Sequence, residues 1–321
     1  MTQEMPRSLD ELLRLNADRS DPRQVAGTEL SVIEVWRDQL RVLLETEQST
    51  TEARAERLVS QTFEPFPKLW ASFFFGNAPA SSKWAIEELP ELLDPSHPAV
   101  RLAFQLDVDQ VFKPIAERTE QMLGIRPKGV WHVFFGPRND LGGTSEGVMW
   151  ANLRTIAKMS DPIEYIRFLL PHELSHMVHL QIMASLPPIE AMTLLHLVLM
   201  EGLCCYFNFE YWERKYSPAR NTLFTDEDWQ WCIEHELHIV RQAANDLRSS
   251  NWGTMNAYHR GDLRPWHEAP SRLAYFLGFR ICECYVREHG PESWKQIYRQ
   301  SAEETLLKSH YLERFGLTTQ S

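Results

Sequence analysis

Phe168-Leu-Leu-Pro-His-Glu-Leu-Ser-His-Met-Val-His-Leu180 is the stretch on which the reading of this chain turns. Within it His172 and His176 are four residues apart, so on an α-helix they share one face, with Cβ atoms roughly 5–6 Å apart. Two imidazoles at that spacing can converge on one Zn²⁺, each at about 2.0–2.1 Å from the metal. Glu173 stands beside the pair, where its carboxylate can take a proton from a metal-activated water as a general base. With 12 His in 321 residues, the pattern arises by chance in roughly a few per cent of such chains. The reading therefore needs a helix under the motif and a third ligand.

The helix is signalled upstream. Ser160-Asp161-Pro162 combines a capping side chain with proline at the first helical position. Ile163, Ile166, Phe168, Leu169 and Leu170 follow as an apolar lead-in. Pro171 is the awkward residue, because a proline inside a helix removes a hydrogen bond and costs about 3 kcal/mol. Either the helix kinks there or a new one begins at Pro171, and both versions keep His172 and His176 on one face.

The third ligand is sought downstream. Pro187-Pro188 should end one helix and seed the next, and the run from Ala191 to Phe207 is apolar nearly all round, as in a buried helix. Glu201 lies inside that run, although carboxylates are almost never fully buried without a partner. Residue 174, midway between the two His, is 13 residues before Pro187 (187 − 174), and Glu201 is 13 after Pro188 (201 − 188). In an antiparallel helix pair those positions lie at equal depth, about 20 Å from the turn at 1.5 Å rise per residue. Glu201 is thus the candidate third ligand; a Glu paired with an Arg or Lys is the competing reading. Gly202 costs about 1 kcal/mol in a helix interior, which is accounted for if the backbone passes close to the other helix of that pair or to the metal. His179 and His196 are assigned to outer or packing positions. A longer His motif with a third His at position 182 is excluded, because that residue is Ile.

His172-Glu173-x-x-His176 followed by Glu201-Gly202-Leu203-Cys204 resembles the gluzincin class of zinc peptidases. More narrowly it is similar to a group of bacterial proteins predicted to be zinc-dependent proteases. Their second motif reads Glu-Gly-Leu-Ala, and an aromatic-Leu-Gly-aromatic-Arg segment lies near their C-terminus. Here that segment is Tyr275-Phe276-Leu277-Gly278-Phe279-Arg280, and the resemblance covers roughly residues 125–290. It implies His172, His176 and Glu201 as zinc ligands and Glu173 as catalytic base. It also implies a strand ahead of the metal helix that holds extended peptide as a further strand. One departure stands out: many gluzincins carry an Asp four residues after the Glu ligand to orient a ligand His, and this chain has Cys205 there. That orienting support must come from elsewhere.

Composition narrows the class. Hydrophobic content of 43% and charged content of 24% are those of an ordinary globular protein. A net charge of −11 argues against nucleic acid and anionic membrane as partners. The opening residues lack the apolar core of a signal peptide, and no apolar run approaches the 18 or so residues of a membrane span. Five Cys, at 204, 205, 232, 282 and 284, are odd in number. Together these predict a reducing, cytoplasmic setting. Cys282 and Cys284 are two apart on a helix, face different directions, and are assigned to packing.

The expected fold is mainly α (α+β): a helical N-terminal region over residues 1–120, then a zincin-like catalytic domain with a small sheet over 121–321. Ser8–Leu15 makes at most a short amphipathic helix. Helical spacing is read over Glu29–Glu47, Thr51–Thr62 and Ala99–Leu123, the last split near Pro114, with a core aromatic cluster at Leu69–Phe75 and a loop at Pro90–Pro98. Gly129–Gly136 and Val148–Leu153 read as strands, and Gly142-Gly143 as a hairpin turn. Asp226–Ser249 is expected as one long helix carrying His235 and His238, Asn251–Pro270 as irregular chain over a cleft, and Ser271–Glu288 as a last helix.

The expected activity is zinc-dependent hydrolysis of peptide bonds in a peptide or protein substrate. Tyr275 is the candidate donor to the tetrahedral oxyanion, with Tyr258, His259 and His267 behind it; a Tyr275 packed in the core is the competing reading. The alternative function is a non-catalytic zinc-binding regulatory or interaction module. The sequence carries no Gly-Ala-Met-Glu-Asn exopeptidase signature, and oligomeric state is left open.

Overall fold

The structure, a computed structural model, describes residues 22–317 except 75–83, 85–86, 138–141, 146–147 and 186–190. The expected helix at Ser8–Leu15 and the Pro187-Pro188 turn lie outside the described residues. The chain forms two compact units, residues 1–173 and 174–321. As expected it is mainly helical with a small sheet.

The first unit is built on that sheet. Its five strands are β1 (Arg23–Gln24), β2 (Glu29–Ile33), β3 (Lys128–Phe134), β4 (Gly142–Ser145) and β5 (Val148–Asn152), in the order β1-β2-β3-β5-β4. β2, β3 and β5 run parallel, while β1 and β4 are antiparallel at the two edges. Val133, Phe134 and Phe135 at the end of β3 are completely buried, as central parallel strands require. Gln39, buried on the helix Val35–Glu45, grips that end with both halves of its amide. Its Nε2 donates to the Phe135 carbonyl at 2.9 Å and its Oε1 accepts from the Phe135 N–H at 2.8 Å. The sheet therefore takes β2 from within residues 1–120 and pairs it directly with β3.

Several expectations change here for local reasons. Glu29–Ile33 is strand, with the helix starting only at Val35, because alternating Leu30 and Val32 bury one face of a paired strand. Gly142 and Gly143 lie in β4, not in a turn; Gly143 opposes Trp150, and a Cβ there would fall 2.6 Å from the indole. Between Ala99 and Leu123 the break falls at residues 106–107, where the Asp107 carboxylate caps Val108–Leu123 by accepting from the Gln110 N–H at 3.0 Å; Pro114 sits inside that helix. A short 3₁₀ helix, Leu89–Leu93, occupies part of the expected loop.

The motif helix runs unbroken from Pro162 to Met183 with Pro171 inside it. Asp161 caps it, accepting from the Glu164 N–H at 3.1 Å. The division between the two units passes inside this helix, after Glu173.

The second unit is helical. Leu194–Tyr211, the helix of Glu201, packs against Leu273–His289 with backbone touching backbone. A Cβ on Gly202 would fall 2.0 Å from the Gly278 carbonyl carbon, and one on Gly278 would fall 1.9 Å from the Val198 oxygen. Gly202 thus serves close approach to Leu273–His289, not to the motif helix that the sequence reading had in view. The first two N–H groups of Leu194–Tyr211 donate to the Ser249 and Leu247 carbonyls, each at 2.9 Å, which docks its start on the end of Glu236–Asp246. The expected long helix 226–249 is two helices, Asp226–Glu234 and Glu236–Asp246. At the junction the His235 ring stacks on Trp231, and its Nδ1 lies 2.9 Å from the Trp231 carbonyl oxygen. Asn251–Pro270 is not wholly irregular: Trp252–His259 is a helix capped by Asn251.

Gly202→Ala or Gly278→Ala is expected to destabilise by about 3 kcal/mol, at the upper end of ordinary overpacking, because backbone rather than a mobile side chain must move. Thermal denaturation should show a midpoint lower by roughly 5 °C or more. A midpoint unchanged from wild type would mean that these helices can part without loss.

Candidate metal centre

His172, His176 and Glu201 come together. One ligand atom from each lies within 4.8 Å of the others, and all three residues are buried. His176 Nε2 is 3.2 Å from Glu201 Oε2. Donors about 2.0–2.1 Å from a tetrahedral Zn²⁺ stand about 3.3 Å apart, so this edge has the right length for a shared ion. Two imidazoles and a carboxylate are also the donor set of a catalytic zinc site with one position left open. Glu173, buried beside His172 on the same helix, is not among the three converging groups.

Buried hydrogen bonds tie together the two helices that carry these three donors. Ser175, one residue before His176, donates to the Cys204 sulfur at 3.1 Å, and Cys204 is three residues past Glu201. The Ser175 oxygen is also 2.6 Å from the Tyr298 hydroxyl. The Cys204 thiol reaches His176 as well. Burial alone would pull His176 down, but Cys204 and Glu201 outweigh it and raise its proton affinity well above the ordinary value.

The remaining candidates separate cleanly. His259 lies against the centre, its Nε2 3.2 Å from Glu201 Oε1. Tyr275 is half-buried rather than packed in the core, and its hydroxyl is 3.3 Å from that same His259 nitrogen. The two rings stack nearly parallel, with centroids 5.7 Å apart and planes 11° from each other. Tyr258 is elsewhere: its buried hydroxyl donates to Asp246 at 2.8 Å, and burial followed by the Asp246 contact pushes its pKa up. His267 has a side chain 97% exposed, with Glu268 as its neighbour. His196 sits at the start of its helix with Nδ1 2.7 Å from the Thr193 hydroxyl. His238 meets Trp266 edge-on.

The C-terminal segment gains a physical account residue by residue. Tyr275 meets His259, and Phe276 and Phe279 pack edge-on to Trp229. Gly278 admits Gly202. Arg280 pairs through Nε with Glu236 at 2.8 Å, and the Tyr311 hydroxyl donates to the same carboxylate at 2.9 Å. None of the five cysteines forms a disulfide.

With this geometry in hand the comparisons are informative. Residues 141–307 match the family described as predicted Zn-dependent protease (DUF2268). The chain belongs to that family. The match spans more than half of the sequence and includes the motif helix, Glu201 and the Tyr275–Arg280 segment. No curated protein and no solved structure matches the chain. No helix among the described residues is long and apolar enough to cross a membrane.

His179, one turn beyond His176, is held neutral: burial, then the charge of His176, brings its pKa down to about 4. In the unfolded chain a His titrates near 6.5. Between those values the unfolded state binds more protons, so stability falls as pH drops from about 6.5 to 4 and the loss is complete below. For this partly exposed ring we expect about 2 kcal/mol. Chelator-treated wild type should lose that much more stability than His179→Phe between pH 7 and 4, measured by urea denaturation. Parallel pH profiles would show that His179 does not resist protonation.

Proposed function

We propose that this chain is a gluzincin-type zinc peptidase, with His172, His176 and Glu201 holding the metal and Glu173 acting as general base. The observation that carries the reading is the convergence of three buried donors from two helices, in a chain whose family is described as predicted Zn-dependent protease. Bound Zn²⁺ would supply Lewis acidity toward a peptide carbonyl and toward water. Glu173 follows His172 directly, so its carboxylate is carried by the same helix turn as the ligand pair. In the reaction it accepts a proton from the attacking water as the new C–O bond forms. It then delivers that proton to the leaving nitrogen as the C–N bond breaks, so carboxylate and water protons balance. The substrate is a peptide or protein in extended form. The outer edge of β4, at the end of the sheet, is the strand to which such a chain would add. The lack of disulfides supports placing the protein in a reducing, cytoplasmic setting.

Purified chain supplied with zinc should bind about one equivalent and cleave quenched peptides in a chelator-sensitive way. Glu173→Gln should keep the metal and lose turnover by about 10²–10⁴-fold. Glu201→Ala should lose the metal itself. Wild-type protein that holds zinc yet cleaves no peptide in a broad panel would replace this reading with that of a non-catalytic zinc module. Full activity in Glu173→Gln would remove the assigned base.

A further inference from the structure

We infer that His259 is the positioning residue for Glu201, and that Tyr275 acts one step further out by holding His259. The inference rests on the metal reading above and adds to it the outer support of the carboxylate ligand. Glu201 presents its two oxygens in two directions: Oε2 lies 3.2 Å from His176 Nε2, and Oε1 lies 3.2 Å from His259 Nε2. The first of these contacts is to a member of the ligand cluster. A carboxylate that binds an ion through one oxygen needs its other oxygen occupied, or it rotates and offers both. His259 supplies that second contact.

His259 itself is not one of the three groups whose ligand atoms lie within 4.8 Å of one another. It therefore acts on the ion through Glu201. Its placement is constrained from two sides. It is the last residue of the helix Trp252–His259, whose end is pinned when the adjacent Tyr258 hydroxyl donates to Asp246. Its ring lies parallel to that of Tyr275, and the Tyr275 hydroxyl approaches the same Nε2 that faces Glu201. One ring nitrogen cannot donate to the carboxylate and accept from the phenol at once. With Nε2 protonated, it donates to Glu201 Oε1, and the phenol oxygen lies alongside as a second acceptor. Glu201, which can only accept, selects that tautomer, and the stacked Tyr275 ring holds the imidazole in place.

The support also answers the departure at position 205. Where an acid four residues after the Glu ligand would orient a ligand His, this chain has buried Cys205. Here orientation is applied to the Glu ligand instead, from a helix more than fifty residues downstream.

The test measures zinc affinity of the full chain by chelator competition, together with the absorption spectrum of the Co²⁺-loaded protein. His259→Ala should weaken Zn²⁺ binding by about 10–100-fold and alter the Co²⁺ spectrum as Glu201 changes its mode of coordination. His259→Gln, which keeps an N–H donor of similar reach, should recover most of that loss. Tyr275→Phe should weaken binding less than His259→Ala, and should add nothing in the His259→Ala background. Should His259→Ala fail to fold, His259→Phe carries the test in its place, since it keeps a ring to stack on Tyr275 but has no N–H to donate to Glu201. Zinc affinity within about twofold of wild type in His259→Ala or His259→Phe, with an unchanged Co²⁺ spectrum, would overturn the inference and leave the metal reading intact. Wild type that binds no zinc would overturn both.

Discussion

The structure depends on how one carboxylate is kept inside an apolar helix. Glu201 is 5% exposed, and its neighbours Leu199, Leu203, Cys204 and Cys205 are buried with it. An isolated carboxylate in such surroundings is costly enough that it normally protonates or finds a partner. Two imidazoles lie against it, His176 on one oxygen and His259 on the other. Imidazoles differ from the guanidinium or ammonium of a structural ion pair in one decisive way. Neutral, each offers a lone pair, so the same arrangement that neutralises Glu201 in a metal-free chain can present it to a cation.

That convergence is a problem of helix register, and small residues solve it. The Glu201 helix is held on one side by the Gly202–Gly278 crossing, where neither residue has room for a Cβ. On the other side the Ser175 hydroxyl reaches across to Cys204 and Tyr298. A shift of one residue along either helix would move a ligand by about 1.5 Å and rotate it by about 100°. The hydroxyl–thiol contact and the glycine crossing act on adjacent turns, so sliding and rotation are both opposed close to the ligands themselves. The apolar packing elsewhere could be satisfied by several registers; these directional contacts cannot.

The cluster was legible in the sequence because its information is local. Four-residue spacing, a capped helix start at Asp161 and a lone acid in an apolar run each carry their meaning within one or two turns. What escaped was set by partners far along the chain. Glu29–Ile33 has helical spacing, yet it pairs with β3, about a hundred residues away. Gly142-Gly143 has the composition of a turn, but Trp150 needs the space over it in β4. His259 stood behind Tyr275 among the candidates, and nothing in Ala257-Tyr258-His259-Arg260 marks it out. Its contact with Glu201 spans 58 residues and sits beside the Tyr258–Asp246 bond, so it depends on how distant helices pack.

The two sides of the centre are therefore supported in chemically different ways. His176 is backed by a thiol, that of Cys204, whose own proton is held tightly because burial outweighs the pull of His176. A thiol whose proton is held so tightly supports an imidazole less strongly than a carboxylate in that place, which is charged outright. For a cation bound there, the electrostatic hold would fall more heavily on Glu201, the one carboxylate among the three converging donors. A ligand that carries that share gains most from being fixed in direction. The charged side of the centre is also where the structure places a donor on the far oxygen, a stacked aromatic ring behind that donor, and a glycine crossing in the next residue.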